Sequence, residues 1–513
     1  METVLLNGND LTPETLKSLQ SFESKIDLSE SAWEAVRSAR KVIDKVLDEK
    51  RTVYGINTGF GKFCRVLVEP ERLVELQNNL ITSHACGVGE CIPVGQARGL
   101  MALRINILAK GFSGISEETI SRMIKAFNSG VVSQVPARGT VGASGDLAPL
   151  AHIALGLLGY GKMYSPKTGI APAEEVLTAN NVSKLELKPK EGLALINGTQ
   201  FISTIGSEAL VRAENLRKSA DIIAAMTIDT LSGKVYAFDD TIRKAKKHKG
   251  QSIIASNLRS LLGRGSARSR RNSFSDDHTN YQDPYTFRCV PTVHGIALDS
   301  IKFVRSILAV ELNSATDNPM ILAKRDRTIS CGNFHGEYPA KALDILAIAV
   351  QDIANISERR IERLCNPSCS GLPAFLAPEG GINSGFMMSH VTASALVSEN
   401  KVLCHPSSTD SLSTSAGTED HVSMGGWAAR KALQVVKNAE HVLGIELLAA
   451  CQAFDLKEKD GQFSSTETLT NVRDLVREHI TFMDRDRYLS DDMEKATELI
   501  VSGKIAELAS FIQ

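Results

Sequence analysis

The sequence predicts a mainly α protein, a large bundle of long helices with a smaller mixed N-terminal region. Three observations carry that reading. First, stretches at 202–231, 296–324, 340–364, 383–404 and 427–452 sustain helical patterning. Within them Leu343, Leu346, Val350 and Ile353 follow a 3-4-3 spacing, and Leu433, Val436 and Leu443 share one face. Second, strand signals are few and short, Val4-Leu5-Leu6 and Thr52-Val53-Tyr54. Third, 43% of the 513 residues are apolar, and several long helices carry them on more than one face, as a bundle or an oligomer core requires. A chain of this length exceeds one ordinary core, and we divide it at residues 1–230 and 231–513.

The elements follow in order. Thr12-Pro13-Glu14 predicts a helix start with proline in the first turn. Ser31 and Glu34 have capping-box spacing, and Trp33, Val36, Ile43 and Val46 recur on one face behind them. Residues 97–110 predict an apolar helix stopped by Gly111. A further helix is expected from Asp146 through the apolar run Leu147–Leu158. The segment Gly263–Ser273 is basic and polar and reads as an exposed insertion. Within it, Arg270-Arg271-Asn272-Ser273 also has the form of a site for a basic-directed kinase.

The charge balance, 58 basic against 59 acidic residues, argues against nucleic acid or an acidic membrane as the main partner. Nine cysteines at scattered positions do not form a disulfide framework and lead us to expect reduced thiols in the cytoplasm. There is no apolar window of the ~18 residues that a membrane span needs.

The run Gly139-Thr140-Val141-Gly142-Ala143-Ser144-Gly145-Asp146 is the most informative segment. Four readings apply. A glycine-rich turn ahead of a helix is the plain one. A serine-hydrolase elbow needs glycine where Asp146 stands, and a dinucleotide loop needs a different glycine spacing. The fourth reading is chemical: the Gly145 amide nitrogen attacks the Ala143 carbonyl, Ser144 loses its hydroxyl, and departure of two waters leaves a conjugated electrophile made of backbone. Gly145 lacks the Cβ that would block the approach. The dipole of the following helix favours negative charge on the ring.

Six other loops carry polar groups. Tyr54-Gly55-Ile56-Asn57-Thr58-Gly59-Phe60-Gly61 is a mobile loop headed by a tyrosine suited to proton abstraction. Ser83-His84, Asn197 in Leu195-Ile196-Asn197-Gly198-Thr199, and Gln282-Asp283-Pro284-Tyr285-Thr286-Phe287-Arg288 follow, the arginine offering a fork for a carboxylate. Asn333-Phe334-His335-Gly336-Glu337 and Thr418-Glu419-Asp420-His421 mix histidine and glutamate, but neither has His-Glu-x-x-His spacing, so no metal is expected.

Taken together, from about residue 4 to about residue 455, these segments resemble the aromatic amino acid ammonia-lyase family. The resemblance implies an ammonia-lyase/fumarase-like helical architecture and a methylidene-imidazolone cofactor formed from Ala143, Ser144 and Gly145. It also implies a cytoplasmic homotetramer whose active sites are shared between subunits, with the N-terminal region bearing the cofactor and the C-terminal bundle forming the oligomer core. Tyr54 resembles the catalytic base, Asn197 a residue beside the cofactor oxygen, and Arg288 the carboxylate anchor. Gln282 and Tyr285 match substrate and cofactor contacts, Phe334 a pocket wall, and Glu419 a carboxylate near an imidazole. Ser83-His84 is similar to the histidine-specific members, which implies elimination of ammonia from L-histidine, His84 binding the imidazole. Tyrosine-specific and phenylalanine-specific members, and aminomutases, are the alternatives. The chain departs from the family pattern at Gly417-Thr418, at Tyr338 and in a longer loop before Tyr281.

Overall fold

The computed structural model describes residues 3–263, 282–459, 461 and 463–513. Helices dominate, and the few strands are short. The chain divides into two compact units. One comprises Met1–Val211, Val304–Asp344 and Pro406–Arg430; the other comprises Arg212–Phe303, Ile345–His405 and Lys431–Gln513. Ser273 and Tyr281 lie outside the described residues.

Among the described residues the first unit holds four small sheets. Thr3–Leu6 pairs in parallel with Lys25–Leu28. Val88–Cys91 pairs with Pro136–Arg138, and Lys162–Ser165 sits between Val132–Ser133 and Gly169–Pro172. Met320–Leu322 forms a hairpin with Arg327–Ile329.

Its helices obey local chemistry. Thr12 caps Pro13–Ser18, its hydroxyl accepting from the Thr15 amide at 3.1 Å. The next helix, Glu30–Asp48, is capped by Ser29 rather than Ser31, because Ser29 Oγ accepts from the Ala32 amide at 3.3 Å. The buried stripe of that helix, Ala39, Val42, Ile43 and Val46, packs with Ile56 and Ile321. This cluster anchors the loop that carries Tyr54. Thr52-Val53-Tyr54 is a turn and not a strand: the Asn57 side chain accepts from the Val53 amide at 2.9 Å, and the Ile56 amide donates to the Val53 carbonyl.

Val94–Leu108 is a buried helix, and Gly111 follows it with a φ of +70°. Leu147–Leu157 begins after Asp146 as expected. The expected helix at 296–324 is instead Val290–Glu311, followed by irregular chain and the strand Met320–Leu322; Asp317, Asn318 and Pro319 interrupt the helical pattern.

The second unit is built of helices. Buried polar networks tie them together. Glu446 accepts from Arg360 at 2.8 Å, from Thr227 at 2.8 Å and from Ser357 at 2.6 Å. Asp221 accepts from Arg217 at 3.0 Å and from Asn257 at 2.9 Å, and meets His294 Nδ1 at 2.8 Å. The expected long helices appear as Gln200–Thr230, Glu337–Cys365, Met387–Leu403 and Gly425–Lys459.

Candidate active site

A cavity of about 1700 Å³ opens in the first unit, and Tyr54, His84, Ser144, Asn197, Phe334 and Glu419 all line it, together with Ala143. Each arrives by a different element. His84 ends the helix Leu73–His84, whose buried Leu73, Gln77, Leu80 and Ile81 fix its face. Gln77 Oε1 accepts from the Gly192 amide at 2.9 Å and locks that helix in place.

The tripeptide loop is held from both sides. On one side, Gly145 bridges to Gly198, and the Asp146 amide donates to the Gly198 carbonyl at 2.7 Å. Gly145 has a φ of +77°, and a Cβ there would fall 2.2 Å from Gly198 O. On the other side, the Met424 amide donates to the Val141 carbonyl at 2.8 Å and Ser423 Oγ to the Gly142 carbonyl at 3.0 Å. Those two bonds deliver Glu419 to Ser144.

Ser144 Oγ donates to Glu419 Oε1 at 2.7 Å. Thr414 Oγ1 and Ser415 Oγ each donate to Glu419 Oε2 at 2.8 Å. Burial raises the pKa of this carboxyl, but the three hydroxyls outweigh it and hold the group below the usual carboxylate range. Glu419 is therefore ionised at neutral pH.

His84 is a neutral imidazole because burial pushes its pKa down, against the opposing charge of Glu419. Ser83 Oγ meets His84 Nδ1 at 3.0 Å and the Leu80 carbonyl at 3.1 Å. Burial raises the Tyr54 phenol above its ordinary value, and a bond from the Gly61 backbone opposes that shift.

Asn197 is 3% exposed; its Nδ2 donates to the Asn318 carbonyl at 3.0 Å, and its Oδ1 is buried with no partner among the described residues. Arg104, also fully buried, donates to the Asn197 carbonyl at 2.7 Å and to Gln200 Oε1 at 2.8 Å, which stiffens the chain below Asn197. Lys190 and Asp317 form a buried ion pair at 3.1 Å just ahead of Asn318. The sequence reading missed Arg104, Lys190, Asp317 and Asn318. Arg104 had a signal, a guanidinium inside the apolar run 97–110; the ion pair had none.

His335 and His421 stack with ring centroids 5.8 Å apart, and His335 Nε2 meets the His421 carbonyl at 3.2 Å. Among the described residues no group of three histidine, cysteine, aspartate or glutamate side chains is arranged to hold a metal. Gln282, Tyr285 and Arg288 belong to the second unit and do not line this cavity. Arg288 Nε donates to the Asp283 carbonyl at 2.9 Å and its guanidinium lies 4.6 Å from the centre of the Tyr285 ring, while Tyr285 is 71% exposed.

A helical fold with an Ala-Ser-Gly loop facing a tyrosine, an asparagine and a glutamate defines a class. The aromatic amino acid lyase model matches residues 11–478, and the chain belongs to that family. Among its relatives, the histidine ammonia-lyase of Bos taurus is 54% identical over 99% of this chain and 77% of its own. The crystal structure of histidine ammonia-lyase from Trypanosoma cruzi is 47% identical, with a TM-score of 0.92 over 100% of this chain and 96% of its own. A tyrosine aminomutase from Streptomyces globisporus has the same TM-score of 0.92 at 32% identity, covering 100% of this chain and 99% of its own. No described helix is long and apolar enough to cross a membrane.

Proposed function

We propose that this chain eliminates ammonia from L-histidine without oxidation, giving trans-urocanate, at an electrophile formed from Ala143, Ser144 and Gly145. One observation carries the reading: Ser144, Tyr54, His84, Asn197 and Glu419 line a single cavity. The surroundings of the tripeptide suit such a ring. Gly145 takes a conformation with no room for a side chain, Ser144 presents a hydroxyl held for departure, and the orphan Asn197 Oδ1 lies at the same cavity. When formed, the methylidene-imidazolone supplies an electron sink that makes the amino group a better leaving group.

The chain's own residues do the rest. Tyr54 removes the β-proton of the substrate. A neutral His84 imidazole and the Glu419 carboxylate each offer an acceptor, so they favour a ring with an N–H donor, an imidazole, over a phenyl ring that has none. Phe334 forms a wall of the pocket. The helix Leu147–Leu157 directs its N-terminal amides toward the tripeptide loop, where they favour developing negative charge.

Gln282, Tyr285 and Arg288 complete the site from another copy of the chain in a homotetramer, Arg288 taking the substrate carboxylate. Exposed apolar side chains on long helices support assembly: Ile296, Val310, Ile348, Met388, Val391 and Val402 are all open to solvent in the single chain. All nine cysteines are free thiols, which supports a cytoplasmic location.

The test is product identification. Purified protein is incubated with L-histidine, L-tyrosine and L-phenylalanine in turn. Near-ultraviolet absorbance of urocanate from histidine alone supports the reading. A cinnamate, a coumarate or a β-amino acid as the preferred product overturns it in favour of the tyrosine, phenylalanine or aminomutase alternative.

A further inference from the structure

Making a ring from Ala143-Ser144-Gly145 takes two dehydrations with different demands. The first uses backbone atoms: the Gly145 nitrogen bonds to the Ala143 carbonyl carbon, that oxygen leaves as water with the Gly145 and Ser144 amide protons, and a double bond forms between the Ser144 nitrogen and the Ala143 carbon. The second is an elimination. The Ser144 Cα–H and Cβ–Oγ bonds break, and a Cα=Cβ bond forms. Hydroxide is a poor leaving group and the Cα–H is a weak acid, so this step needs a base and a proton donor at one place.

Glu419 meets both demands. Its Oε1 is 2.7 Å from Ser144 Oγ, and Cα is two bonds from that oxygen. Its other oxygen is fixed by Thr414 and Ser415, so the carboxylate is aimed before any chemistry begins. Asp146, the other carboxyl of this loop, has its oxygens engaged elsewhere, with the Ile202 amide at 2.9 Å and Thr140 Oγ1 at 3.2 Å.

We propose that Glu419 catalyses the second dehydration of this chain's own tripeptide. Its carboxylate takes the Ser144 Cα proton, and the released electron pair becomes the Cα=Cβ bond. The Cβ–Oγ bond breaks, and Glu419 returns the proton to the departing oxygen, which leaves as water. The carboxylate ends as it began, and no oxidant or co-reactant enters. Loss of the hydroxyl also frees Oε1 as an acceptor on the cavity wall, so the carboxylate that finishes the ring becomes available to an N–H of the substrate.

This inference rests on the self-cyclising reading of the tripeptide, and the experiment separates the two. Full-length wild type, Glu419→Gln and Ser144→Ala are made in a cell-free system, and intact mass is followed with time, the peptide spanning 143–145 being mapped. Wild type is expected to lose two waters. Glu419→Gln is expected to retain the Ser144 hydroxyl, with its loss slowed roughly hundredfold. A two-water deficit in Glu419→Gln at the wild-type rate overturns the proposal and leaves the ring intact as an idea. A wild type with no deficit overturns the ring itself. Should circular dichroism show Glu419→Gln unfolded, the double variant Thr414→Val/Ser415→Ala decides: it keeps the carboxylate but releases its aim. Slowed loss of the second water supports the role, and an unchanged rate overturns it.

Discussion

Gly145 and Gly198 meet backbone to backbone: a Cβ added to Gly145 would lie 2.2 Å from the Gly198 carbonyl oxygen, at a φ of +77°. Contact and dihedral both forbid any other residue there. Gly145→Ala must therefore move the loop. We expect a loss of roughly 2 kcal/mol or more in stability and no two-water deficit in the intact mass. A Gly145→Ala protein with wild-type melting and full deficit would show that the close approach is irrelevant.

Ser144→Ala removes the hydroxyl that the proposed ring must lose. Turnover of L-histidine should vanish while the melting temperature holds, because the Ser144 hydroxyl has one partner, Glu419, which keeps two others. Near-wild-type rates in this variant would defeat the mechanism.

His84→Leu deletes a half-buried imidazole that Ser83 Oγ meets at 3.0 Å. The expected loss in kcat/KM for L-histidine is about 10- to 100-fold, the worth of one buried hydrogen bond, with larger aromatic amino acids gaining entry. Steady-state kinetics on three substrates checks it, and unchanged selectivity would remove His84 as the reader of the ring.

Tyr54 must be ionised to take a proton, and burial lifts its pKa. The reactive phenolate is therefore scarce at neutral pH, and its fraction grows with pH. Wild-type kcat/KM should climb across the range from pH 7 to 9, by up to about tenfold per unit where this ionisation limits. A flat profile over that range contradicts the assignment.

Asp146 is fully buried, and burial raises its carboxyl to about 7, well above the ordinary range for an aspartate. The folded chain thus holds a proton that the unfolded chain has released. The stability this group contributes is complete below about pH 4, declines as pH rises toward 7 and is lost above it, a swing of up to ~4 kcal/mol. Denaturant titrations of wild type and Asp146→Asn at pH 5 and pH 8 measure it: the wild type should lose ground relative to the variant at the higher pH. An identical difference at both values refutes the linkage.

Much of the site was legible because its chemistry is local. The proposed ring needs Ala143, Ser144 and Gly145 as three consecutive residues, and glycine at 145 announces the close approach before any neighbour is known. The helices were legible for the same reason, since a 3-4-3 apolar spacing needs only its own residues. Errors came where a nearby side chain redirected the backbone. Ser29 displaced Ser31 as a cap, and Asn57 turned the chain at Val53 that residue type alone made a strand.

By itself the sequence determined the Ala143-Ser144-Gly145 motif, the long helices and the near-even balance of 58 basic and 59 acidic residues. The tertiary structure alone decided which contacts these groups make and what burial does to their protonation. Glu419 reaches Ser144 from 275 residues away, Lys190 finds Asp317 in the interior, and Arg104 braces the Asn197 backbone. Spacing cannot encode such meetings, because they depend on how whole elements pack, and ionisation depends on the water that packing excludes.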